Sequence, residues 1–202
     1  MSMTTRIRIQ QQDFDLAEEY QLLRQSDSAV GAVVTFSGLV RDFELVSELG
    51  SELGSELGSE LGSELGSELG SELGSELDRG VDRQDQSSIK SSIDLLSLQH
   101  YPGMTESLLE AIVEQANQRW NLIATTVIHR VGDLAPKDQI VLVGVASQHR
   151  ADAFEAAQFL MDYLKTQATF WKSVRRNGEQ QWIESKASDQ QAAARWDGSD
   201  DE

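Results

Sequence analysis

Two lysines, seven residues apart, are the residues best placed to do chemistry. Lys165 and Lys172 lie in the segment MDYLKTQATFWK, around Phe170 and Trp171 and just past an apolar helical pattern. A lysine beside aromatic walls is partly desolvated, which lowers the pKa of its ammonium group and frees the amine for proton transfer or covalent chemistry. The alternative is a pair of surface lysines at the carboxyl end of a helix, where the helix dipole favours cations. The pattern leaves both interpretations open.

Three further cationic residues occupy ends of predicted elements. His149 and Arg150 open a helix directly after a strand, where backbone N–H groups and a guanidinium can meet an anion. Arg41 ends an earlier strand, at the point where a long polar stretch begins. A strand-end arginine in a surface salt bridge is the competing interpretation. These residues therefore indicate an anion site only in combination with the lysines.

The elements that must position these residues can be inferred from the hydrophobic pattern. Three-and-four spacing predicts helices over 15–25, 104–120 and 152–165, and β-rich runs predict strands over 31–40, 93–101, 123–131 and 139–147. The segment FWKSVRRNGEQQWIES predicts a hairpin with Asn177–Gly178 as its tight turn. Sequential strands with short links favour antiparallel pairing, so the predicted class is α+β.

A low-complexity insertion interrupts this pattern. Positions 47–78 repeat the four residues SELG. In a helix this period would place each successive Leu about 40° further around the axis, so the leucines would form no apolar stripe. We expect a disordered, solvated loop spanning about 42–92, since lengthening a loop costs little free energy. The sequence then predicts one domain over 1–202, with the repeat as a tolerated insertion lying clear of the functional site.

Composition and charge exclude several function classes. The formal net charge is -17, of which the eight Glu and Asp78 of the repeat supply -9, leaving -8 for the other residues. Such a chain is repelled by nucleic acid and by anionic membranes. No cysteine is present, and no apolar leader or membrane span is evident, so we expect a cytoplasmic protein. Gly-rich phosphate loops, HExxH, GxSxG and clustered acids with metal spacing are all missing from the sequence, so no metal site is predicted.

Several blocks in order resemble the large, catalytic subunit of molybdopterin synthase, the MoaE family. They are GAVVTFSGLVR (31–41), HYPGMTE (100–106), VIHRVGDL (127–134), GVASQHRADAFEA (144–156), FLMDYLKTQATFWK (159–172) and SDQQAAARW (188–196). The resemblance implies an α/β-hammerhead-like domain with an additional antiparallel β-sheet, and a homodimer that binds one small ubiquitin-like subunit per protomer to give a heterotetramer. It implies sulfur transfer from that subunit's C-terminal thiocarboxylate to cyclic pyranopterin monophosphate, forming the dithiolene of molybdopterin. No cofactor is implied, because the sulfur arrives already activated on the partner.

The same resemblance implies which residues form the site. Lys165 and Lys172 match the family's two essential pocket lysines, with Lys165 as the central general acid/base. Arg41, His149 and Arg150 match its contacts to the substrate anion. The full set of implied substrate-binding positions is Leu39, Val40, Arg41, His149, Arg150, Lys165, Lys172, Ser173, Val174 and Lys186.

The chain departs from the family pattern at four places. Leu39 stands where many relatives carry Lys, and Thr169 replaces the usual Pro before FWK. Ser173–Val174 replaces a charged pair, and Lys186 stands where Arg is common, which exchanges a bidentate fork for a point charge. Two function hypotheses follow: an active sulfurtransferase, or a non-catalytic relative that keeps only dimer and small-subunit binding. Retention of both lysines, Arg41 and His149–Arg150 favours the enzyme.

Overall fold

The computed structural model describes residues 3–41, 43–45, 90–183 and 187–196. The SELG repeat at 47–78 and Lys186 lie outside the described residues, so the expectations for them stay predictions. Within the described ranges no helix is long and apolar enough to cross a membrane. The elements, in chain order, are β1 (Thr4–Gln10), α1 (Leu16–Arg24), β2 (Ala32–Leu39), β3 (Phe43–Leu45), β4 (Lys90–Ser92), β5 (Leu95–His100), α2 (Met104–Arg119), β6 (Leu122–Arg130), β7 (Gly132–Leu134), β8 (Gln139–Ser147), α3 (Arg150–Thr166), β9 (Phe170–Arg176), β10 (Glu179–Ile183) and α4 (Ala187–Ala194).

The first sheet has the strand order β1-β6-β8-β2. β8 pairs antiparallel with both of its neighbours, whereas β1 pairs parallel with β6. The inner strand β8 has the largely apolar sequence QIVLVGVAS, because both of its faces are covered. Val141, Val143 and Val145 face the core formed with α2 and α3, and Leu142 packs with Phe14 on the other face. The sheet is therefore a buried platform whose strand ends can carry a site.

The second sheet has the order β10-β9-β5-β7, with antiparallel pairing throughout. Its inner face forms a small core of buried apolar side chains: Val40, Ile93, Leu96, Leu98, Leu134 and Val174. The β9–β10 hairpin turns at Asn177 and Gly178, with φ of 50° and 83°. Positive φ at both positions is what a two-residue Asn-Gly turn requires, so the predicted hairpin is confirmed.

The short strands β3 and β4 form a separate unit. They pair antiparallel, with Phe43 opposite Ser92 and Leu45 opposite Lys90. Both strands lie near the ends of the stretch that the sequence predicts as a loop over about 42–92. The ends of that stretch are therefore held as a two-stranded pair.

The α+β class is confirmed, and the sequence-based prediction misses five elements: β1, β7, α4, and the strands β3 and β4 at the two ends of the stretch expected to be a loop. β1 was not predicted, and its parallel pairing departs from the expected antiparallel pattern. It alternates arginine with isoleucine, and Arg8 is paired with Glu19 of α1, which is buried. α4 was also not predicted, because the segment ASDQQAAA carries little apolar surface.

Candidate functional site

Lys165 lies in the last turn of α3, near the carboxyl end that the sequence predicts for this helix. Its ammonium Nζ is 3.2 Å from Asp189 Oδ1 of α4, and its side chain is 55% exposed. The predicted desolvation of this lysine by aromatic walls is therefore not present in the single chain. What the structure provides instead is a carboxylate partner for the ammonium group at the carboxyl end of α3.

Lys172 lies in β9, opposite Leu98 of β5 and Ile183 of β10. Because side chains alternate along a strand, Lys172 is on the same face as Val174, which belongs to the core of the second sheet. Its side chain is half-buried. Of the two lysines, Lys172 is thus the one with the partly desolvated surroundings.

Ser173 and Val174, which the resemblance places among the substrate contacts, are both buried. Ser173 faces away from Lys172, and its Oγ accepts a hydrogen bond from Gln180 Nε2 at 2.8 Å. Val174 packs in the core of the second sheet. In this arrangement both side chains are buried, and β9 is paired on both sides, so neither residue presents a free group to a ligand in the single chain.

An aromatic stack holds the beginning of β9. The Phe170 ring lies parallel to the His129 ring, with centroids 3.7 Å apart and an interplanar angle of 12°. His129 Nδ1 is 2.8 Å from the Arg130 carbonyl oxygen. Because a carbonyl oxygen can only accept, Nδ1 carries the proton and donates a hydrogen bond to that oxygen. Burial lowers the pKa of His129 to about 4, which keeps the imidazole neutral near pH 7. The stack thus fixes the strand two residues before Lys172 without adding a charge.

Thr169, the residue that replaces the usual proline, is tied to α2. The hydroxyl of Thr105, which is fully buried, lies 3.3 Å from both the carbonyl oxygen and the hydroxyl of Thr169. A proline has no hydroxyl and could not make the second of these contacts. The connection between Lys165 and Lys172 is therefore restrained by a polar contact in place of a fixed ring.

A histidine and a carboxylate also lie near Phe170. The ring centroids of His100 and Phe170 are 6.5 Å apart, and His100 Nε2 is 3.4 Å from Glu106 Oε1. The other oxygen of Glu106 accepts a hydrogen bond from the Gly103 amide at 2.6 Å. Backbone hydrogen bonds from the amides of Glu106 itself and of Gly103, together with His100, lower the pKa of this carboxyl. Glu106 is therefore an anion that caps α2 and orients His100.

Leu39, Val40 and Arg41 lie where β2 ends, beside the beginning of β8 at Gln139. The backbone of Val40 is held on both sides, since its N–H donates to Asp138 O at 2.9 Å and its carbonyl accepts from Lys137 N at 2.8 Å. Val40 is buried, whereas the side chains of Leu39 and Arg41 are exposed. This end of the first sheet, named here the Gln139 end, therefore presents Arg41 to solvent on a fixed backbone.

His149 and Arg150 lie at the opposite end of the same sheet. They follow Ser147, where β8 ends opposite Ala32 and Leu122. β8 has nine residues, and at roughly 3.3 Å per residue its two ends are about 26 Å apart. The 17-residue helix α3 follows; it is about 25 Å long and runs back along the sheet.

The structure thus divides the predicted site residues of one chain into two groups. Leu39, Val40, Arg41, Lys165 and Lys172 belong to the Gln139 end, where the stack of Phe170 on His129 also lies. His149 and Arg150 belong to the Ser147 end, and both side chains are exposed there. Among the described residues no group of three or more His, Asp or Glu side chains could hold a metal ion.

A mixed sheet, an antiparallel sheet and helices, with two lysines and an arginine toward one sheet end, define a small α+β protein with a cationic site. The family model described as MoaE protein matches residues 79–167. The molybdopterin synthase catalytic subunit of Escherichia coli K12 is 41% identical over 192 residues, covering 95% of this chain and 98% of that protein. The corresponding protein of Vibrio cholerae is 40% identical over 195 residues, covering 96% of this chain and all of that protein.

A solved structure agrees with these sequence matches. The molybdopterin biosynthesis MoaE protein from Burkholderia ambifaria is similar to this chain with a TM-score of 0.64 and 33% identity, covering 96% of this chain and 99% of that one. The chain therefore belongs to the MoaE family. The resemblance stated from the sequence blocks is confirmed, and so is the fold class that it implies.

The sequence-based reasoning did not single out two residues that support the lysines, Asp189 and His129. Asp189 is the ion-pair partner of Lys165, and His129 and Phe170 form the stack before Lys172. Each lies inside a block that carries the family resemblance, but Asp189 reaches Lys165 across 24 positions of sequence. No local spacing pattern signals such a contact.

Proposed function

We propose that this protein is the catalytic subunit of a molybdopterin synthase. It transfers sulfur from the thiocarboxylated C-terminus of a small ubiquitin-like subunit to cyclic pyranopterin monophosphate, and so forms the dithiolene of molybdopterin. The observation that carries the proposal is the 41% identity to a catalytic subunit of that name across nearly the whole of both chains. The alternative, a non-catalytic relative, has no observation in its favour, because both lysines and the arginine are present.

The proposed chemistry uses the cations of the Gln139 end. The substrate carries a cyclic phosphate, and the sulfur donor is itself an anion, so a site for both needs fixed positive charge. Lys165 supplies an ammonium group that can donate a proton to the phosphate oxygen released when the ring opens, and the amine left by that donation can take a proton from the water that hydrolyses the acyl–sulfur bond. Lys172, half-buried on the inner face of the second sheet, and Arg41, on its fixed backbone, bind the developing negative charge.

The separation of the two residue groups supports a site built by two copies of the chain. His149 and Arg150 are about 26 Å from the Gln139 end of their own sheet, far beyond hydrogen-bond reach of a substrate bound there. A second copy in the expected homodimer can bring its own His149 and Arg150 to that end. We therefore include the homodimer, with a small subunit on each copy, in the proposal. Leu39, Ser173, Val174 and Lys186 remain proposed contacts.

Two further expectations belong to this proposal. The chain forms one domain over 1–202 in which the SELG repeat at 47–78 is an insertion, and limited proteolysis would test it by removing the repeat without loss of activity. The protein acts in the cytoplasm, which cell fractionation checks.

The test is conversion of cyclic pyranopterin monophosphate to molybdopterin by the purified chain and a thiocarboxylated small subunit. We expect turnover with the wild type and a loss of about 100-fold or more in Lys165→Ala, since a positioned acid/base typically contributes that much. Arg24→Ala is the matched control, because Arg24 is an exposed cation in the last turn of α1. Both variants must keep their circular dichroism and their binding of the small subunit. A wild type that binds the small subunit without any turnover would establish the non-catalytic alternative.

A further inference from the structure

One carboxylate lies directly on the proposed acid/base. Asp189 Oδ1 is 3.2 Å from Lys165 Nζ, and the side chain of Asp189 is only 23% exposed although that of Lys165 is 55% exposed. Exposed ion pairs contribute little to stability, so this contact does not explain the fold. Its position on the central lysine of the site is what makes it informative.

The helix that carries Asp189 is held firmly against the rest of the chain. Asp162, one turn before Lys165 on α3, accepts hydrogen bonds from Arg195 and, at 2.8 Å, from Trp196 Nε1. Arg119 of α2 donates to the carbonyl oxygen of Trp196 at 3.0 Å. The Trp196 ring also packs edge-on against two aromatic rings, those of Trp120 and Phe159. α4 is thus anchored just past its carboxyl end, and Asp189 is presented to Lys165 by a fixed helix.

From this arrangement we infer that Asp189 is a positioning residue for Lys165. It holds the ammonium group in one place until an anionic group of the substrate replaces it as the partner of Lys165. This inference rests on the proposed function, in which Lys165 handles protons for an anionic substrate. It adds Asp189 to the proposed site and predicts an order of contacts. The carboxylate of Asp189 contacts Lys165 before the substrate binds, and an anionic group of the substrate contacts Lys165 afterwards.

A positioning carboxylate has a kinetic signature that differs from that of a structural one. Asp189 competes with the substrate anion for Lys165, so its neutralisation strengthens substrate binding and lowers KM. The same change leaves the ammonium group of Lys165 less well placed for proton transfer, so kcat falls as well. A fall in both constants together indicates loss of a ground-state interaction that opposed binding. Mere loosening of α4 would instead raise KM and lower the stability of the fold.

The experiment compares Asp189→Asn with wild type at saturating thiocarboxylated small subunit. We expect kcat to fall by about tenfold, a fraction of what a full acid/base contributes, and KM for the pterin substrate to fall by about two- to fivefold. Asp189→Glu, which keeps the charge on a longer side chain, restores part of kcat. Glu110→Gln is the matched control, since it removes one exposed carboxylate from α2 and leaves both constants at the wild-type values.

A second measurement needs no turnover. Acylation by acetic anhydride requires an amine nitrogen that is free to attack, so the contact of Lys165 with Asp189 slows the labelling of Lys165. In Asp189→Asn we expect the labelling rate of Lys165, relative to exposed Lys137 in the same molecule, to rise by about two- to fivefold in peptide mass spectra. The ratio stays at the wild-type value in Glu110→Gln.

The outcomes separate this inference from the proposed function. No turnover in the wild type refutes the proposed function, while the labelling ratio still tests the contact. Turnover in the wild type, with kcat, KM and labelling ratio unchanged in Asp189→Asn, overturns the role of Asp189 alone. A higher KM with a lower melting temperature in Asp189→Asn also overturns it, because that result assigns Asp189 to the fold.

Discussion

A mixed dimer tests whether the active site draws on two copies of the chain. The perturbation is the combination of Lys165→Ala in one copy with His149→Ala in the other, obtained by co-expression with two different tags and tandem purification. In one chain these residues belong to opposite ends of β8, roughly 26 Å apart. If each site takes Lys165 from one copy and His149 from the other, the two substitutions fall together in one site and leave the second site intact.

The expected activity follows from counting sites. Both parent homodimers carry the defect in each of their two sites and are strongly impaired. The mixed dimer has one intact site out of two, so its turnover should recover to about half of the wild-type value. A site formed within one chain gives a different number, because every site of the mixed dimer then contains one of the two substitutions and no recovery occurs.

Two control dimers make the assay decisive. A mixed dimer of Lys165→Ala with Lys172→Ala should show no recovery, since both lysines belong to the Gln139 end and each site loses one of them. A mixed dimer of Lys165→Ala with wild type should retain about half of the activity on either reasoning. If this last dimer is half active while the Lys165→Ala and His149→Ala dimer is as inactive as its parents, the shared site is refuted.

Two further predictions concern the fold that carries the site. Gly144→Ala should lower the free energy of unfolding by about 1 to 3 kcal/mol in urea, because a Cβ would lie 2.5 Å from Leu23 Cδ1, which is fully buried; an unchanged midpoint would contradict this. The pKa of His129 is about 4 in the folded chain and 6.5 ordinarily, so as the pH falls the unfolded chain binds a proton before the folded chain does. The free energy of unfolding therefore decreases as the pH drops from about 6.5 to 4, by up to about 3 kcal/mol. His129→Phe, which cannot titrate, should flatten that part of the pH profile relative to wild type, and an equally steep profile would refute the assignment.

The elements with strong local patterns could be predicted from the sequence. The helix expected over 104–120 is Met104–Arg119, and the one expected over 152–165 is Arg150–Thr166. Both bury a continuous stripe at helical spacing, which is a local property of the chain. The tight turn at Asn177–Gly178 was equally accessible, because few residues other than these adopt positive φ.

The outer elements could not be predicted, because their stability comes from distant partners. β1 reads TTRIRIQ and joins the sheet by parallel pairing with β6, some 120 residues away. Its arginines are accommodated by buried Glu19 and, for Arg6, by Thr126 Oγ1 at 2.8 Å. The segment of α4 has almost no apolar stripe, and the contacts of Trp196 anchor it.

For the candidate site, the sequence identified residue types and left their arrangement open. The aromatic surroundings of Lys165 suggested a desolvated amine, whereas its side chain is largely exposed and paired with Asp189. The grouping of Arg41 with the lysines, and the separation of His149 from them, depend on the directions of β2, β8 and α3. Strand direction is a property of the assembled sheet, which a one-dimensional pattern of residue types does not contain.

The pairing of β3 with β4 also bears on how the gene can change. Phe43 lies opposite Ser92 and Leu45 opposite Lys90, so the two ends of the intervening sequence are attached to neighbouring backbone positions. A four-residue word is encoded by twelve nucleotides, so the gain or loss of whole words does not shift the reading frame. Each doubling of the segment costs only about 0.6 kcal/mol of loop-closure entropy. Alleles with different numbers of SELG words should therefore encode enzymes with the same fold and the same turnover.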